Sequence, residues 1–351
     1  MTHLAILCVR NEAAFLLEWL AHHRALGFDD FLVFSNDCAD GTDLMLDRLS
    51  EMGLLTHIRN NGPYDKGGIQ FSALKAAAKL RQVKKADWIL PLDVDEFVNI
   101  HTGDHTLSAL HTALPDATAI TLTWRLFGNN GQTRYQDKPV LDTFTQCAPA
   151  IMYWPWRAAM FKTLYRNDGT YRKPGVHRPR DAVSARLATA TWMDGAGRTL
   201  SDQFKNKRIF SDYGQDNHTL VQLNHYPLGA LESYVLKADR GRAVHSDDFL
   251  GLDYFVERNF NTDTDTSIQA LAPQRATELA ALKSDKVLAT LHHQAVTWRR
   301  NRFDALLKQD SFRALFGRLL MTPPSQPLSR KAAEFLLHHA TQAHRKARQQ
   351  P

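Results

Sequence analysis

Between residues 4 and 93, short apolar runs alternate with amphipathic stretches at regular intervals. That rhythm restricts the fold more than any other feature of the chain. Residues 4–9, 31–34, 54–58 and 88–92 have the length and composition of buried strands. Residues 13–26, 43–52 and 70–84 carry apolar side chains at helical spacing, and Gly27 and Gly53 supply two C-terminal stops. Parallel neighbours need a crossover between them, usually a helix. The β-α-β-α-β-α-β order therefore predicts an α/β fold with a mostly parallel, doubly wound sheet and helices on both faces. Right-handed crossovers place the four strand ends on one rim, where open α/β sheets bind ligands.

Three of those ends carry polar clusters: Asn11 with Glu12, Asp37 with Asp40, and Asp93 with Asp95 and Glu96. Turn residues at strand ends are ordinary, but nothing structural requires acids at three of them. The run Asp87-Trp-Ile-Leu-Pro-Leu-Asp93-Val-Asp95-Glu-Phe97 ends a buried strand on closely spaced carboxylates, which repel one another. A solvated acidic loop is the plain account of a bare Asp-x-Asp. Placement after a buried strand favours a divalent cation, with Mg²⁺ or Mn²⁺ taking carboxylate and phosphate oxygens.

Several classes lose their usual signatures. The first βα turn is not Gly-x-Gly-x-x-Gly, and no P-loop occurs, which argues against a dinucleotide dehydrogenase and a P-loop NTPase. The formal charge of +6 suits an anionic ligand, but no Arg/aromatic platform accompanies it, so no nucleic-acid partner is expected. Three separated cysteines offer neither a zinc signature nor a disulfide framework and point to a reducing compartment. The N-terminus lacks the basic and apolar regions of a signal peptide, and no run approaches the roughly 18 apolar residues of a spanning helix. A cytoplasmic protein is the expectation.

Val9-Arg10-Asn11-Glu12, Trp19, Ser35-Asn36-Asp37-Cys38-Ala39-Asp40-Gly41-Thr42 and Leu92-Asp93-Val94-Asp95-Glu96-Phe97 occur in that order. Together they resemble a family 2-type glycosyltransferase of the GT-A fold, in the bacterial branch with Arg-Asn-Glu and Asp-x-Asp-Glu-Phe motifs. The resemblance covers about residues 1–240. It implies a nucleotide-sugar donor, usually a UDP-sugar, bound through Mn²⁺ or Mg²⁺, and an inverting transfer to a carbohydrate or glycolipid acceptor in surface polysaccharide assembly. It further implies Asn11 and Glu12 beside the nucleoside, Asp37 at the uracil or ribose, and Lys66 near the diphosphate. Asp95 becomes the principal metal ligand, with Asp93 at metal or ribose. The segment Asn224-His225-Tyr226, followed by Lys237 and Arg240, also resembles this branch and makes His225 a third ligand, with His177 second in line. The strand-two loop departs from the Asp-Asp-Gly-Ser of many relatives, which leaves the base contact open.

An inverting enzyme needs a carboxylate base. Asp168, Asp194, Asp212 and Asp216 lie in the right half of the chain, but none stands in a motif, so the base is unassigned. Trp124, Phe127, Trp154 and Trp156 could stack on sugars or simply fill the core. Residues 1–260 are expected to form the glycosyltransferase domain, with a nucleotide-sugar half (1–100) and an acceptor half (101–260). Residues 261–351 read as a helical extension, with helices over 270–291, 298–307, 312–320 and 329–348. The last is basic and could rest on the inner face of a membrane. Two other readings stand beside this one: a sugar-phosphate nucleotidyltransferase, and a non-catalytic nucleotide- or glycan-binding protein.

Overall fold

The structure, a computed structural model, describes residues 1–64, 68–241 and 250–349. Strands β1 (His3–Val9), β2 (Asp30–Ser35), β3 (Thr56–Arg59) and β4 (Trp88–Leu92) form the expected parallel set in the order β3-β2-β1-β4. Helices α1 (Ala13–Ala25), α2 (Thr42–Glu51) and α3 (Ile69–Ala77) are the crossovers. Along β1, Ala5, Leu7 and Val9 enter the core against α1 and α2, while Leu4 and Ile6 enter the core on the other face. This is the two-residue alternation of a strand buried on both sides. The helix expected to reach residue 84 stops at Ala77. Leu80 is extended there, and a short turn, Arg81–Lys85, follows and buries Val83 against Ile89.

The sheet continues beyond β4 through elements that pattern reading only partly anticipated. They are β5 (Glu96–Ile100), β6 (Ala119–Leu126), β7 (Phe161–Arg166), β8 (Trp192–Asp194) and β9 (Val221–His225). The order runs β4-β7-β6-β9-β5, with β8 paired to β6. Strands β7 and β5 are antiparallel to their neighbours, so the sheet is mixed. Four Cα steps join Leu92 to Glu96 and span at most about 14 Å. Four inter-strand spacings on a flat sheet would need about 19 Å. The sheet must curl, and Asp93–Asp95 form the tight link where it does. The ladder between β4 and β7 covers only Trp88 and Ile89, two residues short of Pro91, which has no N–H to donate. Beyond it the two strands are not paired, and Lys162 of β7 reaches Asp93 at the end of β4 through its side chain. The mixed α/β sheet flanked by helices is the fold that the GT-A resemblance implied.

After helices α4 (Leu107–Ala113) and α5 (Leu231–Arg240), the C-terminal part forms α6 (Ala272–Ser284), α7 (Lys286–Leu306), α8 (Asp310–Met321) and α9 (Arg330–Gln349). The helix expected over 270–291 breaks at Asp285, whose extended backbone and carboxylate cap Leu288 N–H at 2.9 Å and hold Arg48. The expected gap between 291 and 298 is continuous helix. Leu282, Leu288 and Ala295 belong to the same buried cluster as Leu16 and Trp19. The extension thus shares the core of the sheet domain. Among the described residues, no helix is long and apolar enough to cross a membrane.

Candidate active site

The first two βα loops are tied together before any ligand is considered. Asn11, at a φ of 55°, turns its Oδ1 to accept Ala39 N–H at 2.7 Å. Short polar side chains tolerate that left-handed backbone better than most. Asp40 accepts Ala13 N–H at 3.0 Å and the Thr42 hydroxyl and N–H, while Glu12 N–H donates to Thr42 Oγ1 at 2.9 Å. Asp40 is 4 % exposed, so this acid is scaffold. Asp37 accepts the Tyr64 hydroxyl at 2.6 Å on the surface.

A cleft of about 440 Å³ opens at the ends of β1 and β4. Asp93, Asp95, Glu12, His225 and His177 line it, with Trp124 as a wall. Five cationic side chains, Arg10, Arg157, Lys237, Arg240 and Arg258, face three carboxylates across it, leaving an excess of positive charge. Such a cleft attracts an anion such as a diphosphate.

Each acid of the link has a distinct environment. Asp93 accepts from Gln70 Nε2 at 2.7 Å and from Lys162 Nζ at 2.9 Å. Lys162 lies on β7, is 1 % exposed, and also approaches Glu96 at 3.5 Å. Glu96 opens β5 and is fully buried, so it is no part of the exposed acidic cluster that its position in sequence suggested. Its carboxylate accepts Trp124 Nε1–H at 2.7 Å and Asp93 N–H at 2.9 Å. Burial raises its pKa and Lys162 opposes the rise, while the neighbouring aspartates add to it.

Asp95 accepts from Lys237 Nζ at 2.7 Å, and His225 Nε2 stands 3.8 Å from the same oxygen. Burial alone would raise the pKa of Asp95. The Lys237 ammonium and His225 outweigh it and hold the carboxyl well below the usual range. Burial lowers the pKa of His225 against the pull of Asp95, which favours the neutral imidazole. Its ring packs on Trp124 at 4.2 Å between centroids, and its buried Nδ1 has no hydrogen-bond partner among the described residues. Arg240 pairs with Glu12 and donates to Arg10 O at 3.1 Å; burial and neighbouring arginines bring its pKa down to about 10.

Among the described residues, no group of three or more His, Cys, Asp or Glu converges as metal ligands. Asp95 and His225 still fit a cation of the kind that takes most of its shell from phosphate and water. One is ionised, the other neutral, and both face the cleft. Asp93 also lines the cleft but is already engaged by Gln70 and Lys162. Asp194 is tied to Arg198, Asp212 to Arg208, and Asp216 to His218. Asp168 accepts Thr170 N–H in a turn. None of these four lines the cleft. Asn11 and Asp37 lie beside it without lining it, and Lys66 is outside the described residues. Phe127 is core, whereas Trp154 and Trp156 pack on one another at 5.8 Å.

Lys162 and Gln70 were not singled out from sequence. A lysine within the apolar strand Phe161–Arg166 was the available signal for the first. The second is an ordinary polar residue whose role depends on its partner.

The family model for glycosyltransferase family 92 matches residues 5–202, more than half of the 351. The chain belongs to glycosyltransferase family 92. Membership replaces the family 2 label suggested by the motifs. A family 92 protein of Oryza sativa subsp. japonica is 24 % identical over 142 residues, covering 39 % of this chain and 23 % of that protein. A family 92 protein of Ricinus communis is 26 % identical over 97 residues, covering 27 % and 16 %. The matches thus span less than a quarter of those relatives. S. aureus TarS 1–349 with UDP-GlcNAc superposes with a TM-score of 0.33 at 12 % identity, over 81 % of this family 92 chain and 74 % of the TarS 1–349 chain. Mycobacterium tuberculosis glucosyl-3-phosphoglycerate synthase, solved with Mn²⁺, UDP and glucosyl-3-phosphoglycerate, does so with a TM-score of 0.23 at 15 % identity, over 35 % and 44 %.

Proposed function

We propose that this family 92 chain transfers a sugar from a nucleotide diphosphosugar, a UDP-sugar, to the hydroxyl of a carbohydrate or glycolipid acceptor, with inversion. One observation carries the reading: Asp95, His225, Lys237 and Arg240 face a single cationic cleft at the sheet's ligand-binding rim. Asp95 and His225 would hold Mn²⁺ or Mg²⁺. Bound there, the cation supplies Lewis-acid neutralisation of the departing diphosphate. The chain's own groups do the rest. Lys237 and Arg240 are partly buried cations whose charge is screened less than on the open surface, so they favour the extra negative charge of the leaving group. Lys162 and Gln70 fix Asp93, which would meet the ribose. Trp124 closes the cleft against water and holds the His225 ring in position. The basic last helix remains in this reading as a contact for anionic lipid.

The test is donor turnover. Purified protein is given UDP-glucose, UDP-galactose or UDP-N-acetylglucosamine with Mn²⁺, and released UDP is followed with and without EDTA. Release from at least one donor that stops with EDTA supports the reading. Release that EDTA leaves unchanged removes the cation, and no release from any nucleotide sugar removes the donor site.

A further inference from the structure

A second cavity, of about 90 Å³, lies behind the wall formed by the Asp95–Lys237 and Glu12–Arg240 pairs, and these four residues line both spaces. Its lining is largely apolar, with Phe15, Phe144, Tyr226 and Trp298, and a few convergent polar groups, the usual makeup of a ligand pocket. Arg299 of α7 enters it. This arginine is 4 % exposed, sits 4.5 Å from the ring centroid of Phe15 and 4.8 Å from that of Tyr135, and donates to Ser233 Oγ at 3.0 Å.

Its guanidinium differs from the other buried ones in its partners. The other deeply buried arginines, Arg258, Arg275 and Arg125, pair with Glu257, Asp142 and Asp263 at 3.4, 2.9 and 3.5 Å. Arg299 makes no ion pair among the described residues, and its Nε is buried without any hydrogen-bond partner. The two aromatic faces offset only part of the cost of burying a lone cation. Three acids of the wall are already matched, Asp95 by Lys237, Glu12 by Arg240 and Asp239 by a bidentate contact with Arg302. Asp40 and Glu232 act on Arg299 through space without pairing with it, Asp40 being bonded to Ala13 and Thr42 and Glu232 to Tyr135 N–H. Arg134 and Lys138 add positive charge at the exposed side.

We propose that this cavity is the acceptor subsite and that Arg299 is the counterion of an anionic group, a carboxylate or a phosphate, on the acceptor sugar. The inference rests on the transfer reading above. It makes the helical extension part of acceptor selection, since α7 supplies the charge that distinguishes an acidic sugar from a neutral one. A buried cation left unpaired discriminates strongly between a ligand that satisfies it and one that does not.

The experiment uses the full chain saturated with UDP and Mn²⁺, so that the first cleft is occupied. Calorimetric titrations compare three probes: methyl glucoside, methyl glucuronide and glucose 6-phosphate. The expected result is at least tenfold tighter binding of one or both anionic probes over the neutral one. A preference for the glucuronide alone identifies a carboxylate, and one for the phosphate alone identifies a phosphate. The Arg299→Gln variant should lose the preference, and Arg299→Lys should keep part of it. Equal binding of all three probes to the wild-type chain overturns the inference, and that comparison does not depend on any variant folding. A persistent UDP-induced rise in melting temperature, with no preference among the probes, sinks the acceptor subsite alone; absence of the UDP effect sinks the donor reading.

Discussion

Lys237 and Lys162 place two ammonium groups against the two aspartates of the β4–β5 link, at 2.7 and 2.9 Å. Both acids are therefore held in place, and Lys237 keeps the Asp95 carboxyl ionised. Asp95→Asn leaves the partly buried Lys237 against a neutral partner. With Asp95 about a quarter exposed, we expect a loss of about 1–3 kcal/mol, below the range for a fully buried pair. Turnover should fall by about 10²–10³, the scale of losing one preorganised electrostatic group. The double variant Asp95→Asn/Lys237→Met should recover melting temperature without recovering turnover; recovery of both would show that Asp95 serves only to neutralise the lysine. At this scale the sequence was readable where residues that reach the cleft sit in local motifs, as Asp93, Asp95 and His225 do. It was not readable where meaning depends on a distant partner. Gln70, Lys162 and Arg299 acquire their roles from contacts across the fold, and no local pattern marks them. Asp40 shows the converse: an acid in a suggestive loop that is fully used in tying backbone.

Among the elements, β5 and the β4–β5 link matter most for the site. The three-residue link forces the sheet to curl and brings Asp93 and Asp95 to the cleft. The parallel half was legible because each strand is short, apolar and separated by an amphipathic helix. Strand β5 was hidden, since Glu96 reads as one more acid of a loop although it is buried under Trp124. The break at Asp285 was equally hidden, because helical spacing continues on both sides of a residue that caps the second helix. The extension's place in the core gives a direct prediction. Leu288 is fully buried, so Leu288→Ala should cost about 2–4 kcal/mol in chemical denaturation. A cost under 0.5 kcal/mol would mean that the extension packs loosely and that residues 1–260 stand alone.

For the molecule as a whole, two buried histidines, His22 and His23, and the half-buried His111 shape the response to acid. Burial lowers His22 to about 3, and His111 to about 4, while His23 is also driven well below its ordinary value. The unfolded chain protonates these rings below about 6.5. Between that value and their folded pKa values the unfolded state binds more protons, so stability is full above about 6.5 and is lost as pH falls. Glu18 works in the opposite direction: burial raises it to about 7 against two backbone N–H bonds from Val140 and Leu141. Glu96 acts in the same sense. The three imidazoles outnumber the two carboxyls, and we expect a lower melting temperature at pH 5 than at pH 7.5. An equal or higher value at pH 5 would mean that these rings are not buried as described.

The central claim is that Asp95 and His225 hold a cation that joins the protein to a nucleotide diphosphate, and calorimetric titration of UDP tests it most directly. We predict that Mn²⁺ tightens UDP binding at least tenfold in the wild-type chain and has no such effect in Asp95→Asn. UDP affinity that is the same with and without Mn²⁺, in a chain that does bind UDP, would contradict it.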